Sequence, residues 1–153
     1  MFLYYIFQET DSKQTFNEHI TKIIGRGNRI WAFIVRSTRF FTDTASVKHL
    51  YISLVESVLK YASTIWRPHL KVNTARLERV QHKALRHLAY LSGNPMSRFD
   101  HDYAAVGETF GLPTILSSMV ASDNVLTFKI MSNGVQCSEL KSLFPVNNLA
   151  GCV

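Results

Sequence analysis

The stretch "DTASVKHLYISLVESVLKYASTIW", residues 43–66, decides the fold class. Val47, Leu50, Tyr51, Leu54, Val55, Val58, Leu59, Ala62, Ile65 and Trp66 recur at intervals of three and four, which makes one apolar face on a helix. Asp43 or Thr44 supplies a side-chain oxygen for the first unpaired amides, and Pro68 prevents continuation because it has no N–H to donate. Glu56 and Lys60 form an i,i+4 pair on the polar side. By this period Leu54 lies mid-helix in the apolar arc and is expected in the core.

The helical period extends in both directions from this segment. Upstream it runs from about Phe16 to Phe40, with Phe16, Ile20, Ile23, Ile24, Ile30, Trp31 and Ile34 on one side. Gly25 and Gly27 interrupt the pattern, each costing about 1 kcal/mol relative to alanine, and predict a break or kink. Downstream, a third helix is predicted from about Asn73 to Leu91, stopping at "SGNP", residues 92–95. A looser region follows to Leu112, and Pro113 opens a fourth helix ending at Asn133-Gly134. The opening "MFLYYIF" is too short for a membrane span and poor as a signal peptide, so it reads as a buried strand. The expected fold is mainly α, a bundle of about four helices with a short N-terminal strand. Residues 1–15 hold the strand and turn, 16–134 the helical domain, and 135–153 an irregular tail.

A hydrophobic share of 46% against 18% charged fits a globular chain and excludes a disordered tail. Net charge is +6, and its distribution is uneven. Residues 66–98 carry Arg67, Lys71, Arg76, Arg79, Lys83, Arg86 and Arg98 against Glu78 alone, a local footprint suited to phosphate. Cys137 and Cys152 make neither a disulfide framework nor a zinc pattern, so a reduced, intracellular setting is expected.

The cations follow the helical period. In "LERVQHKALRHLAYL", residues 77–91, and the turn before it, Arg76, Arg79, Lys83 and Arg86 fall within about 80° of arc beside Leu77, Val80, Ala84, Leu88 and Leu91. On the first helix Lys22, Arg26, Arg29 and Arg36 also share about 80°, with Phe33 and Phe40 among them. Cations neutralise phosphates and aromatic rings stack on bases, so this interleaving suits nucleic acid. The alternative is that the rings pack under a neighbouring element while the cations stay solvated. Other chemistry is weaker. Asp100, His101 and Asp102 are consecutive and do not converge easily on one metal, and His82 and His87 miss the i,i+4 ligand spacing. No phosphate-cradling glycine loop or acid–base pair is visible, so neither a metal nor a cofactor is expected.

"LYISLVESVLKYASTIWRP" followed by "RLERVQHKALRHL" resembles the region after the catalytic palm in reverse transcriptases of non-LTR retrotransposons, particularly jockey-like elements. That family has a helix of the form LY-x-SLV-x-S-x-LEY-x-S-x-IW-x-P leading into a LE-x-VQ helix. The matching positions are Leu50, Tyr51, Ser53, Leu54, Val55, Ser57, Leu59, Tyr61, Ser63, Ile65, Trp66, Pro68, Leu77, Glu78, Val80 and Gln81. Upstream, Asp11, Ser12, Lys13, Thr15, Phe16, His19 and Ile20 fit. Downstream, Tyr103, Leu112, Pro113, Asp123, Lys129, Ile130, Asn133 and Gly134 fit. The likeness spans roughly residues 5–146.

The resemblance implies a polymerase thumb with a remnant of palm. Reverse transcription needs paired palm carboxylates for two metal ions, and no adjacent Asp-Asp occurs in this chain, so no catalysis is expected. What it implies instead is a grip on RNA–DNA or DNA template–primer duplex by its backbone. Arg76, Arg79, Lys83 and Arg86 are the first contacts, with Lys22, Arg26, Arg29 and Arg36 second. A palm domain is the implied protein partner, and self-association through an apolar face is the rival expectation. The chain departs from the family at Met119 and Val120, where paired arginines are frequent before the position of Asp123, and the glycine of the family's "YLG" strand is missing from "FLYYIF". Together with Gly25 and Gly27, these departures suggest a truncated element copy.

Overall fold

The computed structural model describes residues 16–40, 43–97 and 102–132. The fold is mainly α. The expected N-terminal strand, the tail from residue 135 and the Asn133-Gly134 stop lie outside the described residues. Helix α1 spans Asn17–Ser37 and α2 spans Thr44–Leu50. A π-helical turn, Tyr51–Glu56, continues α2 into α3, Ser57–Lys60, and α4 is Ser63–Trp66. Then come α5, Lys71–Leu91, α6, Tyr103–Phe110, and α7, Ile115–Met131. The chain divides into two compact units, Met1–Met119 and Val120–Val153. The described part of the second is the C-terminal run of α7 through Ser132.

The expected break in α1 is not there. Gly27 is buried, and a Cβ built on it would meet Leu59 Cδ2 at 3.0 Å, so the missing side chain lets α1 press close against α3. Contact with a neighbouring helix outweighs the local propensity penalty. Helix α1 ends at Thr38, whose amide and hydroxyl both donate to the Ile34 carbonyl, at 2.8 and 2.7 Å.

Asp43 caps α2 as expected, its carboxylate accepting from the amides of Ala45 at 3.1 Å and Ser46 at 3.0 Å. Beyond it, burial differs from the simple α-helical arc. Val47, Tyr51, Val55 and Leu59 are wholly buried, whereas Leu50 is 37% and Leu54 42% exposed. A four-residue step drifts by about 40° on a regular α-helix. The π-turn removes that drift. The Ser57 amide reaches back to the Ile52 carbonyl, so the wider turn keeps every fourth side chain aimed at the core. Leu54 is thereby turned outward, contrary to its expected core position. Glu56 and Lys60 do pair, at 2.7 Å, but Glu56 is buried and Lys60 also donates to Ser118 Oγ at 2.7 Å. The pair ties α3 to α7 instead of decorating a solvated face.

The helix breaks at Tyr61 and Ala62, where Ala62 takes a left-handed conformation (φ 53°) before α4 begins. Trp66 is buried, and its indole N–H donates to the Tyr61 carbonyl at 2.8 Å, which closes the break. The loose region expected before Leu112 contains α6, capped by Asp102 on the Ala105 amide at 3.1 Å and stopped by Gly111 at φ 62°. Its helical signal is short, only eight residues, too few for periodicity to declare. Pro113 precedes α7, and Thr114 Oγ1 accepts from the Ser117 amide at 3.2 Å.

The core of the first unit joins Ile20, Trp31 and Ile34 of α1 to the buried row of α2–α3, to Leu77, Val80, Ala84 and Leu88 of α5, and to Ile115 and Met119 of α7. Trp31 sits edge-on to both Tyr51, at 5.8 Å between centroids, and His87, at 5.6 Å. The Glu78 carboxylate accepts the first amides of α7, Ile115 at 3.3 Å and Leu116 at 3.0 Å. One turn later Gln81 Nε2 donates to the Pro113 carbonyl at 2.8 Å. These are the polar residues of the LE-x-VQ pattern, and together they clasp α5 to the start of α7.

Candidate nucleic-acid interface

Helices α1 and α5 meet along a polar seam. Asn73 Nδ2 donates to Asn17 Oδ1 at 2.6 Å, Arg76 to Thr21 Oγ1 at 3.0 Å, and Lys83 Nζ to Asn28 Oδ1 at 2.7 Å. Residue numbers rise together across these pairs, so the two helices run parallel, side by side. Asn17, Thr21 and Asn28 share about 40° of arc between the apolar and cationic sectors of α1, a signal the apolar pattern alone does not use.

The seam orients both cationic rows. On α1 the buried residues lie about 60–120° to one side of the seam, and Lys22, Arg26, Arg29 and Arg36 lie about 80–160° to the other. On α5 the core lies about 50–130° to one side, with Arg79 and Arg86 about 50–70° to the other. Arg76 and Lys83 sit in the seam itself. The two rows therefore share the face opposite the core, where all but half-buried Arg76 are exposed.

The individual cations differ. Arg76 spends donors on Thr21 and on Asn73 Oδ1, the latter at 3.5 Å. Arg86 donates to the Tyr103 hydroxyl, its guanidinium 5.8 Å from the centre of that ring. His82 stacks on the same tyrosine, ring centroids 3.8 Å apart and 4° from parallel. Burial, and then the Arg86 and Arg79 charges, hold His82 below the usual histidine range; burial alone lowers His87. Both shifts favour the neutral imidazole. Arg79 lines a cleft of about 1140 Å³ with His82, Tyr103 and Glu108. Burial, with the Glu56 and Glu78 carboxylates nearby, pushes the Tyr51 phenol up, so it stays neutral.

Phe33 is 59% exposed within the α1 row and Phe40 is 90% exposed in the turn after it, so among the described residues neither ring is packed under a neighbouring element. Tyr90, absent from the sequence reading, lies in the α5 row four residues after Arg86 and is 67% exposed. Its helical spacing from Lys83 and Arg86 is the signal that reveals it. Elsewhere, Asp102 is a helix cap, and Asp100 and His101 fall outside the described residues. Among the described residues, no single helix is long and apolar enough to cross a membrane. Comparison with protein-family models, curated proteins and solved structures finds no match for this chain.

Proposed function

We propose that this chain is a thumb-like, non-catalytic region of an RNA-directed DNA polymerase of the non-LTR retrotransposon kind, holding template–primer duplex by its backbone. The observation that supports this reading is the shared face. Two cationic rows on parallel helices, locked by a hydrogen-bonded seam, present Lys22, Arg26, Arg29, Arg36, Arg79, Lys83 and Arg86 to one side. Contacts of this type position a duplex without reading its sequence. The polar residues of the LE-x-VQ pattern, Glu78 and Gln81, act in folding, which leaves Arg79 between them for a ligand.

If about four phosphates are neutralised, log K against log salt falls with a slope of roughly −3 to −4. Arg79→Gln with Lys83→Gln, and Arg26→Gln with Arg29→Gln, should each make the slope shallower by up to about 2, equally on unrelated sequences. Lys71→Gln with Lys129→Gln is the control, because both lysines are exposed off the two rows. An equal loss in all three pairs would reduce the effect to net charge.

A second reading rests on a different surface. Leu50 and Leu54, one turn apart on the same side of the buried row of α2–α3, are 37% and 42% exposed and offer an apolar patch for a palm-like domain or self-association. Oligomers in sedimentation with no duplex binding would favour it.

A further inference from the structure

We propose that the C-terminal end of the α1–α5 face holds unpaired nucleotides, with Phe33 and Tyr90 as stacking platforms and the neighbouring arginines taking the flanking phosphates. This rests on reading the face as a nucleic-acid surface and adds where a single-stranded segment lies on it. Arg29 and Arg36 are the i−4 and i+3 neighbours of Phe33, about 6 and 4.5 Å away along the axis, so they bracket the ring as two phosphates bracket a base. Arg86 stands four residues before Tyr90 in the same way. The seam also sets the level of the rings: Asn28 opposes Lys83, so Phe33 stands opposite the turn of α5 that carries Tyr90.

Both rings are open, 59% and 67% exposed, at the same end of one cationic face. Glu18, in the first turn at the other end, is the only carboxylate on α1. The charge there matches an anionic strand. Along its length a duplex keeps its base faces stacked inside, so away from the duplex ends an exposed ring meets a base face where a nucleotide is unpaired. Stacking accepts every base, which agrees with cations that read no sequence. Arginine adds a planar fork that fits phosphate bidentately.

The test measures anisotropy of fluorescein-labelled oligo(dT) and of a blunt duplex of equal length, with the full chain and its variants. Phe33→Ala and Tyr90→Ala should each weaken oligo(dT) binding by about five- to a hundredfold, the range of a lost base–aromatic stack. Duplex affinity should stay within about twofold, because backbone neutralisation is untouched. Tyr90→Phe should bind oligo(dT) as the parent does, and Phe33→Leu should bind as weakly as Phe33→Ala. Exposed positions leave the melting temperature in place, which is checked for each variant. No loss on oligo(dT), an equal loss on both ligands, or a Tyr90→Phe as weak as Tyr90→Ala would overturn the proposal. A parent that binds duplex but not oligo(dT) overturns it and spares the duplex reading. A parent that binds only oligo(dT) supports it and removes the duplex reading, and one that binds neither overturns both.

Discussion

Glu78→Ala should open the clasp between α5 and α7. The carboxylate accepts the amides of Ile115 at 3.3 Å and Leu116 at 3.0 Å, so the substitution leaves two first-turn donors without their acceptor. Losing a side-chain cap costs about 0.5–2 kcal/mol. The lost attraction between a negative charge and the positive end of the helix adds about 0.3–1 kcal/mol. Taken together, about 2 kcal/mol should lower the melting temperature by roughly 4–8 °C in a chain of this length. Glu78→Gln keeps an acceptor oxygen but not the charge and should recover about half of the loss. The assay is thermal unfolding by circular dichroism, paired with amide exchange at Ile115 and Leu116, whose protection should fall before that of the α5 interior. A melting temperature within about 1 °C of the parent, with unchanged exchange at both amides, would refute the reasoning.

Leu59→Ala, at a wholly buried position, should cost about 2–5 kcal/mol in denaturant unfolding. Leu54→Ala, at a 42% exposed one, should cost less than about 1 kcal/mol; equal costs would mean that the π-turn does not set the register. Gly25→Ala should stabilise α1 by about 0.5–1 kcal/mol, since nothing lies within 4 Å of the added Cβ. Gly107→Ala should destabilise by about 1–3 kcal/mol, because its Cβ would lie 2.8 Å from the Leu112 carbonyl oxygen, which is backbone and yields little. Stabilisation by Gly107→Ala would contradict the close approach of α6 to that segment.

By itself the sequence determined what depends on neighbours a few residues away. The three- and four-residue periods declare the long helices, Asp43 is a cap because its carboxylate reaches amides two and three residues on, and the arcs of cations follow from about 100° per residue. Each of these is local geometry, readable wherever the backbone is helical. Tertiary structure decided what depends on partners dozens of residues apart. Gly25 and Gly27 read alike in sequence, yet only Gly27 meets Leu59. Leu54 and Val55 both fit an apolar arc, but the π-turn buries Val55 and exposes Leu54. The two cationic rows were legible separately; their common face was not. It exists because Asn17, Thr21 and Asn28 bond to Asn73, Arg76 and Lys83 across 55 or 56 residues, and no period along one helix specifies which helix lies beside it or in which direction it runs.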